Sequence, residues 1–487
     1  MKPSDAVAAL VALGLLLPAC AAADAGGAFA DNPEPGRQGQ QLPSDNPGSI
    51  LAKPYAKGVR VVGHEPVLGR DANIQLVWAG DCAYIATTPQ KFLHFGMKAD
   101  ESTFGVAVID VSDPAAPRQV GLLREPGAMF AAETIDAVTA PDGRMVLAAG
   151  AYANGHGSAM PNDKPAWLDI YDVSDCKRPK LMAEVVWPDN SHTISLSPDG
   201  RYVYGTTMSP FTGHGGLQVM DITDMSRPRF LGKFGAVMAD GSSFEFASHE
   251  IRFSKDATRI YAGVNSSTSD HLNHGIAIMP PNARALGVEG GGVLILDNSD
   301  FVAGKPDPKL RLVSALPGGG WHSVVPATIG GVPHLVGGAE LGACPGTWPR
   351  ITNIADETRP FIAGEFRLAM NLPENCPQPV AGAHGISGIV AAPGTATLHY
   401  NDVDSAGETR LGLFNFMWAG LRIADLADPA KPVEVGYFMP GDVCTGHVRY
   451  RPETGHVWLV CSASGLWVLE LSSQLRRAVG LPATGKD

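Results

Sequence analysis

Charge is scarce in this 487-residue chain: Asp, Glu, Lys and Arg together make up only 18 % of it. Basic residues are outnumbered 37 to 49, for a net charge of −12. That excludes a nucleic-acid partner, because phosphate binding needs clustered Lys and Arg. Sparse charge with 45 % apolar residues also excludes a disordered acidic chain. Past the N-terminus no apolar run approaches the roughly 18 residues that a membrane helix needs. The sequence has no G-x-S-x-G elbow, P-loop, G-x-G-x-x-G or H-E-x-x-H, so no motif names a reaction. What it has in abundance is Gly (57) and Pro (39), too many turn formers for long helices. Many short buried strands are expected.

The N-terminus reads as an address. Ala6–Leu17 is an apolar run of 12 behind Lys2, right for a signal h-region. Residues 1–20 are expected to form a signal peptide. Leu17-Pro-Ala-Cys20 resembles a bacterial lipobox with Cys20 as the lipidated residue, and Ala19-Cys-Ala21 also fits ordinary secretory cleavage. The chain is therefore expected outside the cytoplasm, as a periplasmic, outer-membrane-anchored or secreted protein that meets a membrane only through a lipid anchor. Six cysteines remain, with no C-x-x-C pair, so up to three disulfides are expected. Cys444 and Cys461 flank a hairpin, Cys344 and Cys376 flank a loop-rich stretch, and Cys82 with Cys176 follows by elimination. Residues 21–57, rich in Ala, Gly, Pro, Asn and Gln, read as a flexible linker, and residues 474–487 as a tail.

A repeat fills the interval between them. Val106-Ala-Val-Ile-Asp-Val-Ser-Asp113 with Pro117 returns as Leu168–Asp175 with Pro179 and as Leu217–Asp224 with Pro228. Degraded copies are Val293–Asp300, Ile351–Asp356 with Pro360 and Leu421–Asp428 with Pro432. Each is a β-branched strand followed by an Asp-rich turn. Upstream of each copy stands a second hairpin, such as His192-Thr-Ile-Ser-Leu-Ser-Pro-Asp-Gly-Arg-Tyr-Val-Tyr204. The unit is four antiparallel strands, a to d, which is one blade of a β-propeller. Strand a starts near Ile74, Glu133, His192, His249, His322, His384 and His447, giving seven blades over residues 58–473. The last blade lacks its own d strand. Val59-Arg-Val-Val-Gly-His-Glu-Pro66 matches the d strand Arg118–Pro126, so an N-terminal strand is expected to close the ring.

These repeats resemble the LVIVD-repeat family of bacterial extracytoplasmic propellers, most clearly in the first three blades. Asn353 replaces the first Asp in blade 5, and blade 7 lacks the Asp-x-x-Asp turn. The resemblance implies a fold and an envelope location rather than a substrate. The Asp-Ile-Thr-Asp turn with Pro228 is also similar to one blade of the selenium-binding, methanethiol-oxidase type of propeller.

Aligning the a strands puts His192, His249, His322, His384 and His447 at one position, with Glu133 at the equivalent place in blade 2. Inner strands line the channel, so these side chains are expected to converge at its mouth. A ring of imidazoles meets the needs of one transition metal ion, Cu, Fe or Zn, with Glu133 as ligand or acid/base. The structural alternative is that each histidine caps its strand through hydrogen bonds. Glu250 is expected to point into its blade.

The b–c loops share that face and carry His94, His156, His214, His271 and His274, candidates for a substrate lid over the hub. The a–b turns opposite, such as Pro198-Asp-Gly200, read as structural. The first functional expectation is an exported metal-dependent enzyme, with oxidoreductase-type chemistry favoured, acting on a small molecule. The second is a non-catalytic scaffold that binds an envelope glycan or protein on the long-loop face. The third, a metal-assisted polysaccharide lyase or hydrolase, needs Arg or Lys beside the hub, and the a-strand starts supply none.

Overall fold

The computed structural model describes residues 54–87, 100–154, 157–158, 165–189, 191–206, 216–264, 291–318, 321–339, 348–369, 372, 398–417 and 419–482. They form a seven-bladed β-propeller. The inner a strands are Leu76–Ala79, Ile135–Thr139, Ile194–Leu196, Ile251–Phe253, Ser323–Ile329, Leu398–Val403 and Val448–Arg451. In blade 1 the order continues through Cys82–Thr87, Gly105–Asp110 and Arg118–Leu123, each strand paired with the next. The other blades repeat this meander, with Ala236–Val237 and Ser243–Phe244 added at the outer edge of blade 4.

The repeated Asp residues build the c–d turns. Asp110, Asp172 and Asp221 each accept from the backbone N–H two residues on, and so does Asn353 in the degraded copy of blade 5. An amide oxygen makes the same bond as a carboxylate, so the repeat survives that exchange. A second signature lies in the d strands. Every c–d pair carries a β-bulge, and the d-strand residue beside it is small. It is Gly63, Gly121, Gly232, Gly364 or Gly436 in five blades, Ala183 in blade 2 and Ser314 in blade 4. At two of these sites the reason is close approach by the next blade. A Cβ on Gly63 would come 2.2 Å from the Pro114 carbonyl oxygen, and one on Gly364 2.2 Å from that of Pro429.

Closure is as the sequence predicts. Val59–Glu65 pairs antiparallel with Gly465–Leu471 and becomes the outer strand of blade 7. Two boundaries move. Tyr55–Lys57, expected in the linker, adds a fifth strand to blade 6 against Val433–Met439. Ser473–Ala478, expected mostly in the tail, is a helix capped by the Ser472 hydroxyl, and Leu475 is buried against blades 6 and 7. The core consists of apolar layers between neighbouring blades, for example Leu76, Ile85 and Ile109 of blade 1 against Trp458, Val460 and Val468 of blade 7.

Disulfides join Cys82 to Cys176, tying blade 1 to the c–d turn of blade 2, and Cys444 to Cys461 within blade 7. Cys344, Cys376 and Cys20 lie outside the described residues. Two disulfides fit an oxidising, extracytoplasmic setting. Among the described residues no helix is long and apolar enough to cross a membrane.

Candidate metal centre at the hub

Backbone hydrogen bonds fix which a-strand residues are equivalent. The N–H groups of Ile74, His192, His249, His322 and Gly446 each donate to the corresponding b-strand carbonyl, on Ala86, Thr206, Gly263, Gly338 and Val460. The ladders then place Glu133 beside His192 and His249, because Gly150 donates to Thr134 as Thr206 does to Thr193. His447 falls one residue past this position, where Val460 donates to its carbonyl.

Four side chains from four successive blades meet at the axis. Ligand atoms of Glu133, His249 and His322 lie within 4.8 Å of one another. Glu133 Oε2 is 3.8 Å from His192 Nε2, 3.7 Å from His249 Nε2 and 3.9 Å from His322 Nε2. His192 and His249 share a proton between their Nε2 atoms at 2.7 Å. All four residues are at most 5 % exposed. Burial, followed by the neighbouring imidazoles, holds His249 and His322 well below the ordinary histidine range. They are neutral near pH 7, the state in which imidazole has a lone pair for a cation.

Blade 6 departs from the expected register. Its a strand begins at Leu398, so His384, placed there from sequence, does not start it and lies outside the described residues. His399 enters the hub instead. A bulge between Leu398 and Asn401 brings both His399 and Tyr400 against His322, with ring centroids 4.5 and 4.7 Å away. Tyr400 Oη donates to Glu133 Oε2 at 2.5 Å, and burial together with that carboxylate pushes the phenol well above its usual range. His399 Nδ1 donates to the Thr445 carbonyl, and His447 Nδ1 to that of Leu76 at 3.1 Å. Carbonyls only accept, so both rings carry hydrogen on Nδ1 and turn an Nε2 lone pair inward or toward neighbouring rings. Burial lowers His399 to about 3, opposed by the Thr445 bond and reinforced by His192. His447 is lowered by burial and then by Arg449 and Arg252.

Those arginines belong to a second layer, one step down the channel, which the sequence reading missed. Asp136, Arg252, Asp402 and Arg449 follow the hub residues Glu133, His249, His399 and His447 by two or three positions. They line a cavity of about 690 Å³ that opens on the a–b turn face. The a-strand starts supply no Arg, as read from sequence, but Arg252 and Arg449 stand two or three residues further in, and the cavity they line opens on the face whose turns read as structural. Burial raises Asp136, Asp402 and Glu250, and the two arginines oppose the rise in each. Glu250, expected to point into its blade, pairs with Arg252 of this layer at 2.5 Å.

The lid candidates His94, His156, His214, His271 and His274 all lie outside the described residues. Trp321 is fully buried among Tyr261, Val293 and Leu335 and serves packing.

No protein-family model matches the chain, and no curated protein matches it either. Among solved structures it is similar to a periplasmic gluconolactonase, PpgL, from Pseudomonas aeruginosa, at 14 % identity over 74 % of this chain and 85 % of that one, with a TM-score of 0.45. It is also similar to the β-propeller domain of Cps50 (Swd1) from Myceliophteria thermophila, at 10 % identity over 86 % of this chain and 100 % of that one, TM-score 0.49. A protein from Lactobacillus plantarum follows at 11 % identity, 78 % and 89 % coverage, and TM-score 0.48.

Proposed function

We propose that this chain is an exported, LVIVD-like β-propeller metalloprotein that holds one transition metal ion at its hub and uses it in oxidoreductase-type catalysis on a small molecule. The observation that carries the reading is the convergence of Glu133, His192, His249 and His322, from four separate blades, on one buried point. Three imidazoles and one carboxylate suit Fe, Cu or Zn and need no thiolate. Bound there, the metal would supply Lewis acidity or redox chemistry. The protein's own part is to keep the imidazoles neutral by burial, to orient Glu133 through the Tyr400 hydroxyl, and to exclude bulk water. Glu133 is better placed as a ligand than as a free base, since Tyr400 already occupies one of its oxygens.

The test is metal content by inductively coupled plasma mass spectrometry, on protein purified from periplasm without a His-tag. Near-stoichiometric Fe, Cu or Zn in the native protein, lost from a folded His249→Ala/His322→Ala variant, is expected. A native protein that stays metal-free after reconstitution overturns the reading.

One observation favours the scaffold alternative. His192 and His249 hydrogen-bond each other, and Tyr400 bonds Glu133, so part of the cluster is already satisfied from within. In that reading the ring is a polar plug that sets blade register, and the same double variant loses stability rather than metal.

A further inference from the structure

The cavity beneath the histidines is built from a strands and turns of blades 1, 2, 4, 6 and 7, which only the propeller axis can bring together. Arg449 lines it and is only 7 % exposed. Its one hydrogen bond among the described residues is a long one, from Nε to the Leu76 carbonyl at 3.5 Å. It makes no ion pair within 4 Å among those residues, whereas its neighbour Arg252 has Glu250. A largely buried guanidinium with no carboxylate in ion-pair range keeps donors available for a ligand that enters the cavity. Neither terminal amine of Arg449 has a hydrogen-bond partner among the described residues, and the side chain lines the cavity. Burial and the nearby Arg252 lower Arg449 only to about 10, so it remains cationic at neutral pH.

Carboxylates stand in the same space. Asp136 is fixed by the N–H of Leu196 at 2.7 Å, and Asp402 by that of Tyr450 at 2.8 Å. Trp78 supplies one apolar wall. A multiply charged anion such as sulfate or phosphate would meet Arg449 but be repelled by both aspartates. A simple cation would be repelled by the arginines. What satisfies every group is a singly charged acid that also offers a hydrogen-bond donor beside its carboxylate.

We propose that this cavity binds a small carboxylic acid with a hydroxyl or ammonium group on the adjacent carbon, its carboxylate on Arg449 and its donor on Asp402 and Asp136. The site stands independently of the metal reading, and its test runs on chelator-treated protein. Isothermal titration with L-lactate, D-glycerate, L-alanine and L-glutamate, against acetate, sulfate and glucose as controls, reads it directly. At least one α-substituted acid is expected to bind with Kd below about 1 mM, at least tenfold tighter than acetate or sulfate. The hydroxy acids and amino acids separate the two donor types. Arg449→Gln is expected to weaken that binding at least tenfold. Thr139→Trp, which crowds the mouth without touching the charged groups, is expected to do the same, and it serves as the test if Arg449→Gln does not fold. The proposal is overturned if no α-substituted acid outbinds acetate, or if the folded variants bind as the native protein does.

Discussion

Tyr400 and Glu133 stand 267 residues apart in sequence, and the Tyr400 hydroxyl lies 2.5 Å from the Glu133 carboxylate at the centre of the ring. The bond spans the axis from blade 6 to blade 2, so it reports on ring geometry and site chemistry together. Tyr400→Phe keeps the ring packing and removes only the donor. A hydrogen bond to a buried charged group is worth roughly 1–3 kcal/mol, and a loss of that size is expected in chemical denaturation. Where metal is bound, affinity in a chelator competition is expected to fall by about 10-fold or more. A variant with unchanged stability and affinity would show that Glu133 is not oriented by this hydroxyl.

The bulge glycines give a paired prediction. Gly364→Ala would place Cβ 2.2 Å from the Pro429 carbonyl oxygen, a backbone atom that cannot swing away. Gly121→Ala, at the same repeat position in blade 1, would meet only Val108 Cγ2 at 3.4 Å. Gly364→Ala is expected to cost about 1–3 kcal/mol and Gly121→Ala much less. Thermal denaturation of the two variants in parallel checks this, and equal effects would show that blade contact does not select the residue.

Asp169 gives the fold a pH dependence. It is fully buried, accepts from the Ala128 N–H at 2.8 Å, and is raised to about 7, by burial first and then by Glu184 and Glu125 against the Ala128 bond. Between the unfolded carboxyl value near 4 and this folded value, the native state holds a proton that the unfolded chain has released. Stability therefore falls as pH rises from about 4 to about 7 and levels off above. Asp169→Asn cannot ionise. Relative to the native protein it is expected to gain about 3 kcal/mol between pH 5 and pH 8, measured by urea denaturation at both. No pH dependence in that difference would refute a raised Asp169.

The Cys82–Cys176 disulfide closes a sequence separation of 94 residues across two blades. Replacing both cysteines by Ser is expected to cost about 2–5 kcal/mol. Chemical denaturation of the variant checks this, and an unaltered midpoint in the variant would contradict it. Reduction of the native protein, which also opens Cys444–Cys461, should lose at least as much.

The repeat was legible because its determinants are local: an Asp bonds the backbone two residues on, wherever the blade sits. The closing strand was legible for the same reason, since Val59–Glu65 carries a d-strand pattern. The hub was read less well. The sequence points to His384 rather than to the hub residue His399 because spacing alone does not reveal the bulge at Leu398–Asn401 or where the blade 6 a strand begins. His447 carries the right residue type one step out of register, a fact held only in its backbone bonds. Arg252 and Arg449 are not marked by the histidine register, because they stand two or three residues beyond the first inward position of each strand. The signal was present three residues after Glu133 and His249, at Asp136 and Arg252.

The pairing of Val59–Glu65 with Gly465–Leu471 also sets an order of events. Val59–Glu65, among the earliest residues of the propeller to be synthesised, must wait unpartnered until the last described strand has emerged. No intermediate length of chain can close the circle, and joining ends so distant in sequence carries the largest loop-closure entropy in the molecule. A nascent chain is thus kept open until its far end arrives. If the chain is exported as proposed above, that delay keeps it open during its passage across the membrane.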